Sequence, residues 1–568
     1  MNKNLHNPHT GSRIAIALFV SVLALSAVAD TRSNKSDITR NLDVFASLYK
    51  ELQNFYVDSI DSEKSINTAI AAMLNQVDPY TEYYPPSDHD DLTMMTSAEY
   101  GGIGSIIAEP NRGKGVIISE PYESSPSAIA GLLPGDTIVA IENDTVLTWH
   151  TDSVSSRLKG QPGTKLHLTV KRPYDGDSLR HFTITRQQIQ LPAVPYYGVV
   201  RDTLGYIYLT QFTDKATRQV RQALTELKKD PRVKAYVLDL RGNHGGLLEE
   251  AVQIVGLFVP KNTEVLRTRG KGILNEKIYK TTDRPVDTGT PLYVLIDGQS
   301  ASSSEITAGA LQDLDRAVIA GTRSYGKGLV QTTRQLPYEG ILKVTTAKYY
   351  IPSGRLIQAI DYSRRNSDGT VARIPDSLTN VFKTAAGREV RDGGGITPDI
   401  KVTYGDVNRL TYNIVSDNWA FDYATKFRAE NPAIAPAENF EITDSVFNDF
   451  KKFVDPEKFQ YDKVCEQMIE NLRKAAKTEG YMNDSVKNHI DKLEKLLHHN
   501  LDHDLDQNRK DIADLLATEI LKRYYYQKGQ IIQTLKNDAA IDTVMAIEAA
   551  PERYRQILAA PKADIKKK

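Results

Sequence analysis

The spacing of apolar positions changes several times along this chain. From Ile38 to about Val77 they recur at intervals of three and four, in ITRNLDVFASLYKELQNFYV and again in KSINTAIAAMLNQV, the period of amphipathic helices. Asp78-Pro79 ends that pattern, and an aromatic, proline-bearing connector, DPYTEYYPPSD, follows. Between Tyr100 and about Gln190 the period shortens. GVIISE, DTIVAIEN, KLHLTVKR and RHFTITR read as strands, separated by turns such as GLLPGD at 131–136 and KGQPGT at 159–164 and by one short helix, SPSAIAG. This predicts a compact, mainly β module of about 90 residues, an ordinary domain size.

From Gly205 to about Val402 strand and helix patterns alternate. GYIYLTQF, VKAYVLDLRG, PLYVLID and AVIAG read as strands; KATRQVRQALTELKKD, LLEEAVQIVGLFV and SEITAGALQDL read as helices. That order predicts an α/β layered core, to which VTTAKYYIPSG and GGGITPDI add strand and loop pieces. Beyond about Asp406 the chain is helical and charged. DIADLLATEILKRYYYQKGQIIQTL carries a broad apolar stripe, and KADIKKK reads as a frayed end. The expected organisation of the 568 residues is a leader over 1–29, a helical region over 30–95, the β module over 96–190, the α/β core over 191–405 and a second helical region over 406–568.

Composition narrows the function. With 40% hydrophobic and 25% charged residues this is a soluble globular protein. Its 71 Lys+Arg balance 72 Asp+Glu, so no bulk positive charge is present to hold a nucleic acid backbone, and that class is set aside. The single cysteine, Cys465, excludes an intramolecular disulfide and a cysteine zinc site. It lies in YDKVCEQMIENL, which predicts an amphipathic helix with the thiol as a small, half-buried residue rather than a nucleophile. At the N-terminus Lys3 and Arg13 precede an apolar run from Ile14 to Ala29 that ends Ala27-Val28-Ala29, the pattern of a secretory signal peptide. The run is shorter than the ~20 apolar residues of a membrane span, and an uncleaved anchor is the alternative. Either reading puts the working part outside the cytoplasm, in the periplasm or an equivalent compartment.

The stretch from Ser300 to Gln331 carries the chemistry. Ser302 opens the helix SSEITAGALQDL, where unpaired backbone N–H groups and the helix dipole favour a developing oxyanion. Ser302 and Glu305 also match S-x-x-E, a capping box, and Ser300, Ser303 and Ser304 flank the position. Lys327, between Gly326 and Gly328, becomes a base toward a serine hydroxyl only where a dry pocket strips its proton. Gln331 shares a strand face with it if 327–331 are extended. Gly321 to Lys327 also fits the GxxxxGK start of a phosphate loop. Gly328 stands where that motif needs Ser or Thr, and LVQTTRQL reads as a strand where it needs a helix, so nucleotide binding is rejected. Gly245 and Gly246, in the strand-to-helix turn RGNHGG, expose backbone N–H groups that can serve as a second oxyanion donor. His499 and His503 have the i, i+4 spacing of a metal pair on a helix, but no Glu follows His499, and a solvated charged linker is favoured.

These blocks, in the order DLRGNHGGLL, SASSSEITAGALQD, GTRSYGKGLVQ, TTAKYYIPSGRLIQ and GGGITPDI, resemble the carboxyl-terminal processing, or tail-specific, serine proteases over roughly residues 38–405. The resemblance implies a crotonase-like α/β protease core with an inserted PDZ domain and helical N- and C-terminal regions. It implies Ser302 as nucleophile, Lys327 as general base and Gln331 as the residue assisting the lysine, with Asp313 either holding the helix or supporting the chemistry; the N–H groups of Ser303, Gly245 and Gly246 are the expected oxyanion donors. Residues 100–190 would then be the PDZ domain, with Gly102, Ile103 and Gly104 in the loop that captures a terminal carboxylate. Two positions depart from the pattern: His244 stands where the family has proline, and Tyr325 where it has phenylalanine. The expected activity is a Ser-Lys endopeptidase, secreted, acting near the C-termini of protein substrates without metal or cofactor. A homo-oligomer contact or a regulatory adaptor is assigned to the helical regions. The rival readings are an inert PDZ scaffold and a coenzyme A-dependent hydratase, the latter opposed by export.

Overall fold

The computed structural model describes residues 37–110, 113–272, 276–362, 370–405, 408–461 and 463–559. The leader expected over 1–29 lies outside them. The chain divides into two compact units, Met1–Tyr83 and Tyr84–Lys568. In the first, the helical period expected from Ile38 to Val77 is realised as two helices, 37–55 and Ser62–Asn75, the second capped by Asp61, whose side chain accepts the Lys64 N–H at 3.0 Å.

In the second unit the strands of the β module, the expected PDZ domain, form where the alternating runs predict them. Lys165–Lys171 buries Leu166, Leu168 and Val170 and exposes the residues between, so one face of its sheet packs inward. The sheet runs Ser105–Ala108, Val116–Pro121, Thr137–Ile141, Lys165–Lys171, Leu179–Thr185, all antiparallel, which leaves Ser105–Ala108 at an edge. Besides the expected helix Pro126–Ala130 there is a second, Thr151–Leu158, which the sequence pattern did not announce. TDSVSSRL is short and polar; only Val154 and Leu158, one turn apart, are buried.

The expected α/β core is built on a six-stranded sheet in the order Tyr196–Val200, Leu204–Tyr208, Ala235–Asp239, Leu292–Ile296, Val318–Gly321, Ile400–Lys401. The first pair is antiparallel and the rest are parallel. The central strands Ala235–Asp239 and Leu292–Ile296 are buried at every position, as strands covered on both faces must be. One face carries the helices Ala216–Leu227, Leu248–Val255 and Ser303–Asp313 over Leu224, Ile254 and Leu311. The other face is covered by the C-terminal region, through Leu535, Ile541, Val544 and Ile547. An antiparallel group including Glu264–Gly270, Glu276–Lys280, Leu329–Gln335 and Ile341–Tyr350 forms a separate sheet.

The stripe read as one helix from Asp511 onward is broken. Arg509–Lys536 is interrupted at Tyr526 (φ 51°, ψ −152°). The break lets one apolar stripe serve two cores. Ile512, Leu516 and Ile520 pack with Trp419, Tyr423 and Phe450 in a helical core, and Ile531 and Leu535 reach the sheet.

The PDZ domain also touches this helix. Glu120, on the strand Val116–Pro121, is 8% exposed, and its Oε2 stands 3.9 Å from Lys522 Nζ. Burial pushes its carboxyl above the ordinary range, Lys522 and Arg523 pull it down, and Glu519 adds to the rise. A carboxyl raised in this way stabilises the contact below its unfolded pKa of about 4.3, and that contribution is lost as pH rises through the folded value. Glu120→Gln should therefore slow hydrogen exchange in Val116–Pro121 at pH 7.5, and the gain over wild type should shrink at pH 4.5. Equal exchange in the two proteins at pH 7.5 would contradict this.

Candidate active site

Two loops leave the C-terminal ends of adjacent parallel strands, the place where open α/β sheets carry their ligand sites. One runs from Asp239 through Arg241 to Gly246; the other runs from Ile296 to Ser302. They are sewn together by backbone and side chain. The Ala301 N–H and Ser304 Oγ donate to the Asn243 carbonyl at 3.1 and 2.8 Å, and Ser303 Oγ donates to the Gly246 carbonyl at 2.9 Å. The Ser300 hydroxyl donates to the Leu240 carbonyl at 2.9 Å. Of the four serines considered as nucleophile, Ser300, Ser303 and Ser304 are thus engaged in holding the loops.

Ser302 is half-buried and stands at φ 55°, ψ −113°, a backbone conformation a side chain adopts only under constraint. The constraint is Glu305. Its carboxylate is fully buried and accepts four hydrogen bonds: Oε2 from the N–H groups of Ser302 and Lys327, both at 2.9 Å, and Oε1 from the Gly326 N–H at 2.7 Å and Ser324 Oγ at 2.5 Å. Two nitrogens that share one oxygen in this way stand within about 6 Å of each other. Burial pushes the Glu305 carboxyl above its ordinary range, and the four donors work against that rise. On the carbonyl side, the buried Tyr349 hydroxyl lies 2.8 Å from the Lys327 oxygen and 3.3 Å from the Ser302 oxygen. Ser302 and Lys327, 25 positions apart in the chain, are joined at both ends of their peptide units. The Glu305 half of the expected capping box is present, but the same carboxylate does more than cap. Sequence reading had no signal for Ser324, Gly326 or Tyr349 as its partners.

The glycine turn fits against Ser302 and Ser303. A Cβ on Gly245 (φ 101°) would lie 2.9 Å from Ser302 Cβ and 3.0 Å from the Ser303 nitrogen, and one on Gly246 (φ 146°) only 2.3 Å from the Phe212 oxygen. Glycine is required at both for the close approach as well as the conformation. The two are not equivalent as donors. The Gly245 N–H is spent on Asn243 Oδ1 at 2.8 Å, an Asx turn, whereas Gly246 is exposed. Among the described residues, no hydrogen bond uses the N–H of Ser303 or Gly246. Of the two glycines expected around an oxyanion, Gly245 has its N–H engaged by Asn243 in this conformation and Gly246 does not.

The remaining expected residues are placed as follows. Lys327 is half-buried and precedes the strand Leu329–Gln335, as the rejection of a phosphate loop requires. Gln331, on that strand, donates its amide to Thr345 Oγ1 at 3.1 Å. Asp313 closes the helix that Ser303 opens, about 15 Å along its axis. There it accepts from Arg355 at 2.9 Å and from the Ser353 N–H at 3.0 Å, with both charged side chains 0–1% exposed. Its contacts anchor the helix. His244 is exposed beside the turn, and Tyr325 is partly exposed. Gly102, Ile103 and Gly104 are buried in the PDZ domain, beside a cavity of about 150 Å³ lined by Tyr100, Ile103, Gly104, Ile107, Leu158 and Lys159. Ile107 belongs to the edge strand Ser105–Ala108, and Leu158 to the unforeseen helix.

Two expectations away from the site are corrected. Cys465 is in a helix, Val464–Thr478, but is exposed rather than half-buried. His499 does not share a helix with His503: Asn500 caps Leu501–Gln507, so His499 lies before it, its Nδ1 2.9 Å from Asp504 Oδ2. His498 faces Glu466 at 3.0 Å.

Comparison with known proteins meets this geometry block by block. Residues 203–365 match peptidase family S41, 117–172 a PDZ domain, and 410–547 the C-terminal helical domain described for probable PDZ-proteases. The chain is 36% identical over 341 residues to a carboxy-terminal-processing protease of Bartonella bacilliformis, covering 60% of this chain and 77% of that protein. It is 28% identical over 468 residues to a probable CtpA-like serine protease of Staphylococcus aureus, covering 81% and 91%. Among solved structures, the photosystem II D1 C-terminal processing protease aligns over 63% of this chain and 92% of its own at 26% identity, with a TM-score of 0.35. With its layered α/β core, its PDZ domain and its C-terminal helical domain, the chain belongs to peptidase family S41, the carboxyl-terminal processing serine proteases.

Proposed function

We propose that the chain is an extracytoplasmic endopeptidase that cuts protein substrates near their C-termini with Ser302 as nucleophile and Lys327 as general base. The observation that carries the assignment is the single Glu305 oxygen accepting both the Ser302 and the Lys327 N–H. Neutral Lys327 takes the hydroxyl proton as Ser302 Oγ bonds to the scissile carbonyl carbon. The carbonyl electron pair moves to oxygen, where the Ser303 and Gly246 N–H groups receive it. The lysine passes its proton to the departing amine as the C–N bond breaks, takes one from the water that attacks the acyl carbon, and returns it to Ser302 Oγ as the ester bond breaks, leaving itself neutral again. Gln331 holds the amine in place. The apolar run Ile14–Ala29 and its Ala27-Val28-Ala29 end support export to the periplasm or a comparable compartment.

The PDZ domain supplies the tail preference. Its edge strand Ser105–Ala108 is open to addition of a peptide strand, with the Gly102–Gly104 turn at one end for the terminal carboxylate and the cavity beside Ile107 and Leu158 for an apolar last side chain. An unfolded protein with a free, apolar C-terminus should be cut, and amidation of that terminus should lower kcat/KM by about tenfold, the weight of one charge-assisted capture. No fragments from either substrate would leave the inert scaffold as the better reading. Equal cleavage of the two would remove the PDZ turn from recognition.

A further inference from the structure

Arg241 opens the loop that carries Gly245 and Gly246, and its guanidinium is held from two sides. Asp239, at the end of its own strand, accepts Nε at 3.0 Å and Nη2 at 2.5 Å. Asp538 accepts Nη1 at 3.1 Å and Nη2 at 2.6 Å, from a point 297 residues further along the chain in the C-terminal helical domain. The Arg241, Asp239 and Asp538 side chains are 19%, 2% and 9% exposed. Tyr206 donates to Asp239 Oδ2 at 2.7 Å, and Tyr404 stands near the guanidinium. Burial works against the Arg241 cation, and the two carboxylates outweigh it.

Beyond Arg241 the loop is held to its neighbours in the core: the Asn243 carbonyl accepts from the Ala301 N–H and Ser304 Oγ, and the Gly245 carbonyl from the Phe212 N–H at 3.0 Å. The Gly242 N–H reaches Asp297 at 3.1 Å, and the Asn243 amide reaches the Leu209 carbonyl at 2.8 Å. With Asp239 alone the guanidinium would have a carboxylate partner only two positions away, at the end of its own strand. Asp538 fixes it to another layer. Asp538 also accepts the Ala540 and Ile541 N–H groups at 2.8 and 3.3 Å, capping Ala539–Glu548, the helix whose Ile541 and Val544 cover the sheet. The loop is thereby referenced to the face of the sheet opposite the nucleophile's helix.

We propose that Asp538 is a positioning residue for the oxyanion turn: through Arg241, the C-terminal helical domain sets where the Gly246 N–H stands. The inference rests on the assignment of Ser302 and Gly246 made above. It gives that domain a part in the chemistry of the core.

The test separates this part from the cap. Serine and asparagine both cap helices as well as aspartate does, but serine is too short to reach Arg241 and asparagine cannot offer two charged oxygens. In the full-length chain, Asp538→Ser should lower kcat on a peptide substrate about tenfold or more. KM should stay within about twofold, because an oxyanion donor acts mainly in the transition state. Asp538→Asn should fall between the serine variant and wild type, and both should melt a few degrees below wild type because a buried ion pair loses a partner, so kcat is read well below either melting temperature. Wild-type kcat in Asp538→Ser, with Ser302→Ala inactive, would overturn the positioning role alone. A loss of kcat that disappears when the assay is cooled well below the variant's Tm, or that is matched by a rise in KM, would overturn it too. Full cleavage by Ser302→Ala would overturn the assignment it rests on as well.

Discussion

Ser302→Ala is expected to lower kcat on a peptide substrate by about 10⁴-fold or more, Lys327→Met by a similar factor, and the double variant no further. Alanine removes the only atom that forms the acyl bond. Methionine keeps the length and apolar stem of lysine and removes the amine, so the hydroxyl has no base. Residues that act as one unit lose nearly everything when either is removed, which is why the factors should not multiply. What remains is the contribution of the oxyanion donors and substrate binding. Both variants should keep the wild-type Tm within about 2 °C, because what fixes Ser302 and Lys327 is their backbone, on Glu305 and Tyr349, and not the two side chains that change. Steady-state cleavage of a labelled peptide and a thermal melt check both halves. Multiplying losses, or a serine variant that cuts normally, would mean that the two side chains do not work as a pair.

The sequence was most legible where one periodicity governs one face. The alternation in KLHLTVKR became a strand with Leu166, Leu168 and Val170 inside, and the unbroken apolar runs AYVLD and LYVLI became the buried centre of the parallel sheet. It was least legible where short polar segments owe their structure to a neighbour, as in Thr151–Leu158, or where an apolar stripe continues through a break in the backbone, as at Tyr526. No local pattern encodes that Ile512 and Ile531 belong to different cores.

The site divides in the same way. Ser302, Lys327 and the glycine turn stood out as candidates because each sits in a local setting, a helix start or a strand-to-helix turn, whose backbone groups are predictable. What binds the settings together was not visible. Glu305 was read as a cap because its first partner is three residues away, whereas Ser324, Gly326 and Lys327 arrive from 19 to 22 positions later. Asp538 reaches Arg241 across most of the second half of the chain. The sequence also pointed to both glycines as oxyanion donors, and only the coordinates showed the Asn243 side chain taking one of them.

That division makes Glu305 the sharpest remaining test. In a capping box glutamine serves as well as glutamate, so a residue that only capped the helix would accept Glu305→Gln at no cost. The buried carboxylate does not, because all four of its partners are donors. A glutamine amide turns one acceptor into a donor, and whichever way it faces, the groups on one side lose their acceptor. Each buried N–H or O–H left unmade costs about 1–3 kcal/mol. If the amide nitrogen faces Ser302 and Lys327, the strained φ of Ser302 loses the bond that holds it; if it faces Ser324 and Gly326, the loop carrying the lysine loses its anchor. Either way the cost is drawn from the geometry of the pair. A loss of about 3–4 kcal/mol in transition-state stabilisation corresponds to a fall in kcat of about 10²–10³-fold. Glu305→Gln should show that fall together with a drop of a few degrees in Tm, less than Glu305→Ala, which strands all four donors. A Glu305→Gln protein with wild-type kcat would return the residue to the role of a helix cap, and would leave the pairing of Ser302 with Lys327 to be explained by Tyr349 alone.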